Sequence, residues 1–99
     1  MFNRNTRIEC NEARQLVEAG AQLVDVRTPQ EYAQGALPGA VNLPLQTLHA
    51  GLHQLDNMKP VIVYCVSGMR SSIAAAELVA HGFQAVHDLG TWRQYVNCN

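Results

Sequence analysis

The residues of this chain that are best suited to chemistry lie in the segment Cys65–Ser71, with the sequence CVSGMRS. The apolar and aromatic run Val61–Tyr64 precedes the segment, and a helical run, Ser72–His81, follows it. This order predicts a cysteine at the end of a buried strand, in a loop that turns into a helix N-terminus. The first N–H groups of a helix lack intrahelical partners and carry partial positive charge, so they favour a thiolate or a bound anion. We therefore predict that Cys65 is a nucleophile.

The residues after Cys65 suit a loop that binds an anion. Glycine in the middle of the loop can take the backbone angles that turn successive N–H groups inward. An arginine adds a permanent positive charge, and Ser71 is predicted to cap the following helix. We assign catalysis to Cys65 and substrate binding to the loop residues Val66, Ser67, Gly68, Met69 and Arg70. A buried structural cysteine before a glycine turn is the alternative, but the order of strand, Cys, Gly, Arg and Ser favours the reactive cysteine.

Size and charge restrict the class of protein. The chain has 99 residues, of which 47% are hydrophobic, so it is expected to be one small domain with a substantial core. Its net charge of -1 argues against a nucleic-acid or membrane-surface partner. No apolar run approaches the roughly 20 residues of a membrane span. The segment Met1–Arg7 lacks the apolar centre of a signal peptide, and a cytoplasmic location is expected.

The cysteines and histidines do not indicate a disulfide framework or a metal site. Cys10, Cys65 and Cys98 are odd in number and widely spaced. His49 and His53 could share a helix face, but no third metal ligand accompanies them. We expect neither a metal nor a cofactor. Cys98 is expected to be an incidental free thiol near the end of the chain, although a redox role for Cys10 or Cys98 stays open.

Strand-like and helix-like segments alternate along the chain. Strands are predicted at 23–26, 40–43, 61–64 and 84–87, and helices at 12–19, from 29, at 45–55, at 72–81 and at 92–96. Thr28, Pro29 and Glu31 have the pattern of a capping box at a helix start. The alternation predicts an α/β fold with a central, mainly parallel sheet flanked by helices on both faces. The single domain spans 1–99, with a core over about 8–90 and a short C-terminal segment, 91–99.

Two polar residues at the end of the first predicted strand are expected near the cysteine loop. Binding sites of parallel sheets lie beyond the carboxyl ends of the strands, and the strand of Cys65 is expected to be central. Asp25 and Arg27 lie at the end of another strand and could reach the same crevice. We assign supporting roles to Asp25, Arg27 and Ser71.

Two motifs resemble those of the rhodanese-like, single-domain sulfurtransferase family. Asp25–Arg27, Glu31–Tyr32 and Gly35–Pro44 are similar to the upstream family signature, DVR, then E(F/Y), then GHIPGA and N(I/L)P. Cys65–Ser71 is similar to the family's active loop, CxxGxRS. The resemblance covers about residues 8–90. This chain has Ala36 where the family often has histidine. Its segment 89–92 is shorter than the Gly-Gly…Trp segment of many relatives, which the resemblance implies to be a wall of the pocket that affects the acceptor preference.

The resemblance implies a rhodanese-like domain and a sulfur transfer through a persulfide. Cys65 would take a sulfur atom from thiosulfate or another persulfide donor and pass it to cyanide, a small thiol or a protein thiol. Arg70 is expected to bind the anionic donor or to hold the loop. Arg27 and Glu31 are expected to form a structural ion pair near the loop.

Other functions share parts of this pattern. Cysteine phosphatases and arsenate reductases also place a cysteine in an N–H cradle with an arginine, but related phosphatases have one residue more between the two. A shorter ring suits a single sulfur atom better than a tetrahedral phosphate. A sulfur-carrier or regulatory rhodanese-like module is the nearer alternative, and it is compatible with an active Cys65.

Overall fold

Strands and helices alternate along the part of the chain that the computed structural model describes, residues 5–96 and 98. The strands are β1 Asn5–Arg7, β2 Gln22–Asp25, β3 Val41–Asn42, β4 Val61–Cys65 and β5 Val86–Thr91. The helices are α1 Cys10–Glu18, α2 Pro29–Ala33, α3 Leu48–Gly51, α4 Met69–Ala80 and α5 Trp92–Val96. Short 3-10 turns over Leu45–Thr47 and Leu52–Gln54 flank α3.

The strands form one sheet in the order β1-β5-β4-β2-β3, and each pairing between them is parallel. Every residue of the central strand, β4, is buried, which requires cover on both faces of the sheet. Alternate residues of a strand face opposite sides. Val63 and Cys65 pack in the core on the α4 side, whereas Ile62 and Tyr64 pack with residues of α1 and α5. The predicted α/β fold with helices on both faces is confirmed.

The sequence predicted the start of α2 correctly and the start of α4 incorrectly. The capping box at α2 is present: the Thr28 hydroxyl accepts the Glu31 N–H, and the Glu31 carboxylate accepts the Thr28 N–H at 2.9 Å. Helix α4 begins at Met69, three residues earlier than predicted, and Gly68 is its N-cap. Ser71 therefore lies inside the first turn and donates its hydroxyl to the Gly68 carbonyl at 3.1 Å. The predicted capping role of Ser71 is wrong.

The helix predicted over 45–55 and the strand predicted over 84–87 differ from the structure, and one strand was not predicted. The expected helix over 45–55 is broken into α3 and two 3-10 turns. Gly51 packs so closely that a Cβ there would lie 2.8 Å from Leu43 Cδ2. Strand β5 starts two residues later than predicted and continues to Thr91. Strand β1 was not predicted, because its three residues, NTR, have no apolar pattern.

A disulfide joins Cys10, the first residue of α1, to Cys98, two residues beyond α5. The two Cα atoms lie 5.7 Å apart, a separation typical of disulfides. The expectation that Cys98 is an incidental free thiol is wrong. The sequence could not reveal the pairing, since the two cysteines are 88 residues apart and only the packing of α1 against α5 brings them together.

Candidate active site

The sulfur of Cys65 lies at the end of β4, directly in front of the N-terminus of α4. The side chain is fully buried. Its Sγ accepts the Gly68 N–H at 3.0 Å and the Ser71 N–H at 3.4 Å. Two backbone donors and the start of a 12-residue helix therefore face one sulfur atom, an arrangement that stabilises negative charge there.

The loop around this sulfur depends on the backbone of Gly68. Its φ of 96° lies in the left-handed region that other residues enter at a cost, as the sequence led us to expect. The remaining predicted loop residues differ in position. Val66 is half-buried and lines a neighbouring cavity, whereas the side chains of Ser67 and Met69 are exposed. The donors that reach Sγ belong to Gly68 and Ser71.

Arg70 connects the loop to α2. Its Nη1 donates to Glu31 Oε1 at 2.7 Å and its Nη2 to Oε2 at 3.1 Å. The hydrogen bonds from Arg70, followed by the backbone N–H of Thr28, lower the pKa of Glu31 from 4.5 to about 2. The paired carboxylate in turn raises the pKa of Arg70. The guanidinium of Arg70 is thus engaged in holding the loop, and the predicted Arg27–Glu31 ion pair is wrong.

Asp25, Arg27 and Tyr64 form a buried polar cluster on the other face of the sheet. Arg27 Nη2 donates to Asp25 Oδ2 at 2.6 Å, and Arg27 Nε donates to both carboxylate oxygens at 3.0 Å. The Tyr64 hydroxyl donates to Asp25 Oδ2 at 2.8 Å and accepts the Leu37 N–H at 3.1 Å. A further bond joins Arg27 Nη2 to the Gly35 carbonyl at 2.7 Å. The cluster therefore positions the segment 35–37, which Asp25 contacts through Arg27 and Tyr64.

A cavity of about 510 Å³ opens beside the cysteine loop. Its walls come from the loop after β2, the segment after α2, the loop after β4, and α5. Its lining residues are Arg27, Glu31, Gln34, Gly35, Ala36, Leu37, Pro38, Val66, Trp92, Arg93 and Val96. Cys65 itself does not line the cavity, but its neighbour Val66 does. Of the predicted supporting residues, Arg27 reaches the cavity wall.

The family resemblance implied that the segment ending at Trp92 forms a wall of the pocket, and Trp92 does line the cavity, but sequence analysis missed Arg93 and Val96 of α5. These two residues form one wall together with Trp92, and the sequence signal for them was a predicted helical turn directly after a strand end. Arg7 was missed as well. Its guanidinium pairs with Asp88 at 3.4 Å and approaches Gly68 and Gly90, so β1 supports the loop from outside.

Within residues 5–96 and 98, no group of three or more histidine, cysteine, aspartate or glutamate side chains is placed to hold a metal ion. The same part of the chain has no helix that is long and apolar enough to cross a bilayer.

Comparisons with known proteins agree with this fold. The rhodanese-like domain family matches residues 9–98. A protein of Pseudomonas syringae named thiosulfate sulfurtransferase GlpE is 39% identical over 83 residues, which are 84% of this chain and 78% of that protein. The human single-domain sulfurtransferase TSTD1 superimposes with a TM-score of 0.78 at 25% identity, over 99% of both chains. A Bacillus anthracis CoADR-RHD structure gives 0.82 at 32% identity, over 93% of this chain and 16% of that one.

The chain belongs to the rhodanese-like domain family. The predicted class of enzyme, a sulfurtransferase, is confirmed by the family match and the relatives. A sulfur donor and a sulfur acceptor are its substrates in general terms.

Proposed function

We propose that this enzyme transfers sulfane sulfur from thiosulfate, or another persulfide donor, to a thiophilic acceptor through a persulfide of Cys65. The observation that carries the proposal is the position of Cys65 Sγ, which accepts the N–H groups of Gly68 and Ser71 at 3.0 and 3.4 Å. The names of the relatives support thiosulfate as a donor. The single domain over residues 1–99 would carry the complete site.

In the first half-reaction, the Cys65 thiolate attacks the outer sulfur of thiosulfate. A bond forms between Sγ and that sulfur, and the bond from that sulfur to the sulfonyl group breaks. Sulfite leaves with the electron pair, and the enzyme keeps a persulfide with one negative charge. The N–H groups that face Sγ are preorganised donors for the thiolate and for the charged persulfide. Splitting the transfer through a covalent intermediate gives two easier steps.

In the second half-reaction, the acceptor attacks the outer sulfur of the persulfide. Cyanide would leave as thiocyanate, and a thiolate would leave as a new persulfide. In both cases the electron pair of the broken bond returns to Sγ. A protein thiol could serve as the acceptor, and the domain would then act as a sulfur carrier.

Intact mass spectrometry after incubation with thiosulfate tests the proposal. The wild-type mass should rise by one sulfur atom, and cyanide or dithiothreitol should remove that atom. Cys65→Ser should show neither the mass gain nor sulfur transfer. Cys10→Ser and Cys98→Ser are matched controls that should keep most of the activity. A Cys65→Ser protein with full activity, or a wild type that hydrolyses p-nitrophenyl phosphate without forming a persulfide, would reject this mechanism.

Partners and compartment stay predictions. We expect small-molecule donors and acceptors, no nucleic acid, no membrane partner and no cofactor. A cytoplasmic location also stays a prediction. The redox state of Cys10 and Cys98, measured in protein quenched directly from cells, tests this location. Cytosolic thiols are generally kept reduced, so a cytoplasmic protein should contain the reduced pair.

A further inference from the structure

The cavity beside the cysteine loop is larger than the inorganic substrates require. Its volume of about 510 Å³ falls in the range of pockets that bind organic ligands, roughly 300–1,000 Å³. Thiosulfate and cyanide have five atoms and two atoms and would leave most of it empty. Leu37, Val66, Trp92 and Val96 supply apolar surface on its walls, as a carbon skeleton would need.

Three charged side chains line this cavity, and two of them are already paired. Arg27 is bound to the Asp25 carboxylate, and Glu31 is bound to Arg70. Arg93 is exposed on α5, and its guanidinium lies 5.9 Å from the centre of the Trp92 ring. Among residues 5–96 and 98, no carboxylate forms an ion pair with Arg93. The charge that remains uncompensated at the cavity wall is therefore positive.

We propose that the sulfur acceptor is an organic thiol that carries an anionic group, and that Arg93 is the residue that selects it. This inference rests on the function proposed above. The anionic group, a carboxylate for example, pairs with Arg93, and the carbon skeleton lies against Trp92. The acceptor thiolate forms a bond to the outer sulfur of the Cys65 persulfide, whose bond to Sγ breaks with the electron pair on Sγ. The products are the acceptor persulfide and the Cys65 thiolate.

A pair of matched acceptors tests the role of the charge. Enzyme loaded with thiosulfate is mixed with mercaptopropionate or with its uncharged methyl ester, and kcat/KM for sulfur transfer is measured. Arg93→Gln should lower kcat/KM for mercaptopropionate about fivefold, the size expected of a solvent-exposed ion pair. It should leave the ester within about twofold, so that the loss depends on the acceptor's charge. Arg93→Lys should restore much of the rate, and added salt should reduce the difference.

Lys59→Gln is the matched control. Lys59 is exposed and lies before β4, at the end of the strand opposite to Cys65. The substitution removes one positive charge, as Arg93→Gln does, but far from the cavity. It should leave the ratio of the two acceptors unchanged.

Binding can be measured without sulfur transfer, because Trp92 is the one tryptophan of the chain and lines the cavity. Methylthiopropionate cannot accept sulfur as a thiolate, but it should alter the Trp92 fluorescence in wild type and bind Arg93→Gln about fivefold more weakly. This result would support the inference even if Cys65 formed no persulfide. Equal binding to both proteins, or an equal loss of rate with both acceptors, would overturn it.

Discussion

At the scale of single residues, the cluster of Tyr64, Asp25 and Arg27 determines the shape of the cavity wall. The hydroxyl of Tyr64 is both a donor to Asp25 and an acceptor for the Leu37 N–H. Burial raises the pKa of Tyr64, so the hydroxyl stays protonated and keeps its donor role. The buried Leu37 N–H has this hydroxyl oxygen as its hydrogen-bond acceptor.

We predict that Tyr64→Phe lowers the free energy of unfolding by about 1–3 kcal/mol, since it leaves the buried Leu37 N–H unpaired and removes a donor from Asp25. Urea denaturation measures the change. Tyr32→Phe is the control, because the Tyr32 hydroxyl makes one hydrogen bond, to the Ala40 carbonyl at 2.7 Å, from a partly exposed site. An equal decrease in the free energy of unfolding of the two variants would show that the cluster contributes no more to stability than the single hydrogen bond of Tyr32.

Glu31 gives a prediction about pH. Its pKa is lowered from 4.5 to about 2 by Arg70 and by the Thr28 N–H. A carboxylate with a lowered folded-state pKa stabilises the protein fully above its unfolded-state pKa, and this contribution is lost as the pH falls towards the folded-state value. Wild type should therefore exceed Glu31→Gln in unfolding free energy above pH 4.5, and the gap should close as the pH falls towards 2. Denaturation curves at several pH values test this, and a constant gap would contradict the assignment.

The residues that sequence analysis placed well are those whose roles are local. Cys65 and Gly68 could be placed because a strand, a glycine and a helix follow one another within a few residues. The ion pairs could not be predicted in this way. Arg27 pairs with Asp25, two residues away, whereas Glu31 pairs with Arg70, 39 residues away. Which pairs form depends on how β2 and β4 lie side by side, and no local sequence pattern predicts this arrangement.

At the scale of elements, the loop between β4 and α4 depends on the conformation of Gly68. A Cβ on this residue would meet Arg7 Nη2 at 3.5 Å and Gly90 Cα at 3.6 Å, which are ordinary contacts. The obstacle to a larger residue is therefore the φ of 96°, which a β-branched residue resists strongly. A change in φ would turn the Gly68 N–H away from Cys65 Sγ.

We predict that Gly68→Val lowers the rate of sulfur transfer about 100-fold, the effect typical of losing one preorganised donor. Val66→Ala should have a much smaller effect, because it shortens a side chain at the cavity wall and leaves the backbone donors to Sγ, Gly68 and Ser71, in place. Gly82→Val is the control for backbone strain. Gly82 also has a positive φ, of 92°, with open space around it, but it follows α4 at the far end. It should lose stability and keep its rate, and an equal loss of rate in both glycine variants would exclude a special role for Gly68.

Elements with self-contained signals were predicted, and elements that depend on partners were not. The capping box of α2 lies within four residues and was found. Strand β1 exists because Asn5–Arg7 pairs with Val86–Asp88, although its own sequence is polar. Around α3, the apolar spacing suggested one helix, but the structure has α3 between two 3-10 turns, and no local pattern in the sequence marks these breaks. For β1, pairing with a distant strand decided the outcome.

At the scale of the whole molecule, the Cys10–Cys98 disulfide closes the chain on itself. It ties α1 to the segment that follows α5, and α5 supplies one wall of the cavity. Arg14 reinforces this contact, since its Nη2 donates to the Tyr95 carbonyl at 2.7 Å. The cross-link spans 88 residues of the chain, so it restricts almost the entire unfolded ensemble.

We predict that oxidised protein, denatured without reductant, reacts with one equivalent of iodoacetamide at Cys65, and that reduced protein reacts with three. Because the cross-link removes conformational freedom from the unfolded chain, the oxidised form should exceed the reduced form by about 2–4 kcal/mol in unfolding free energy. The double variant Cys10→Ser, Cys98→Ser is the control: its stability should match that of reduced wild type and should not respond to dithiothreitol. Three alkylated cysteines in the unreduced protein would exclude the disulfide. If the fluorescence of Trp92 did not change on reduction, the disulfide would have no influence on the position of α5.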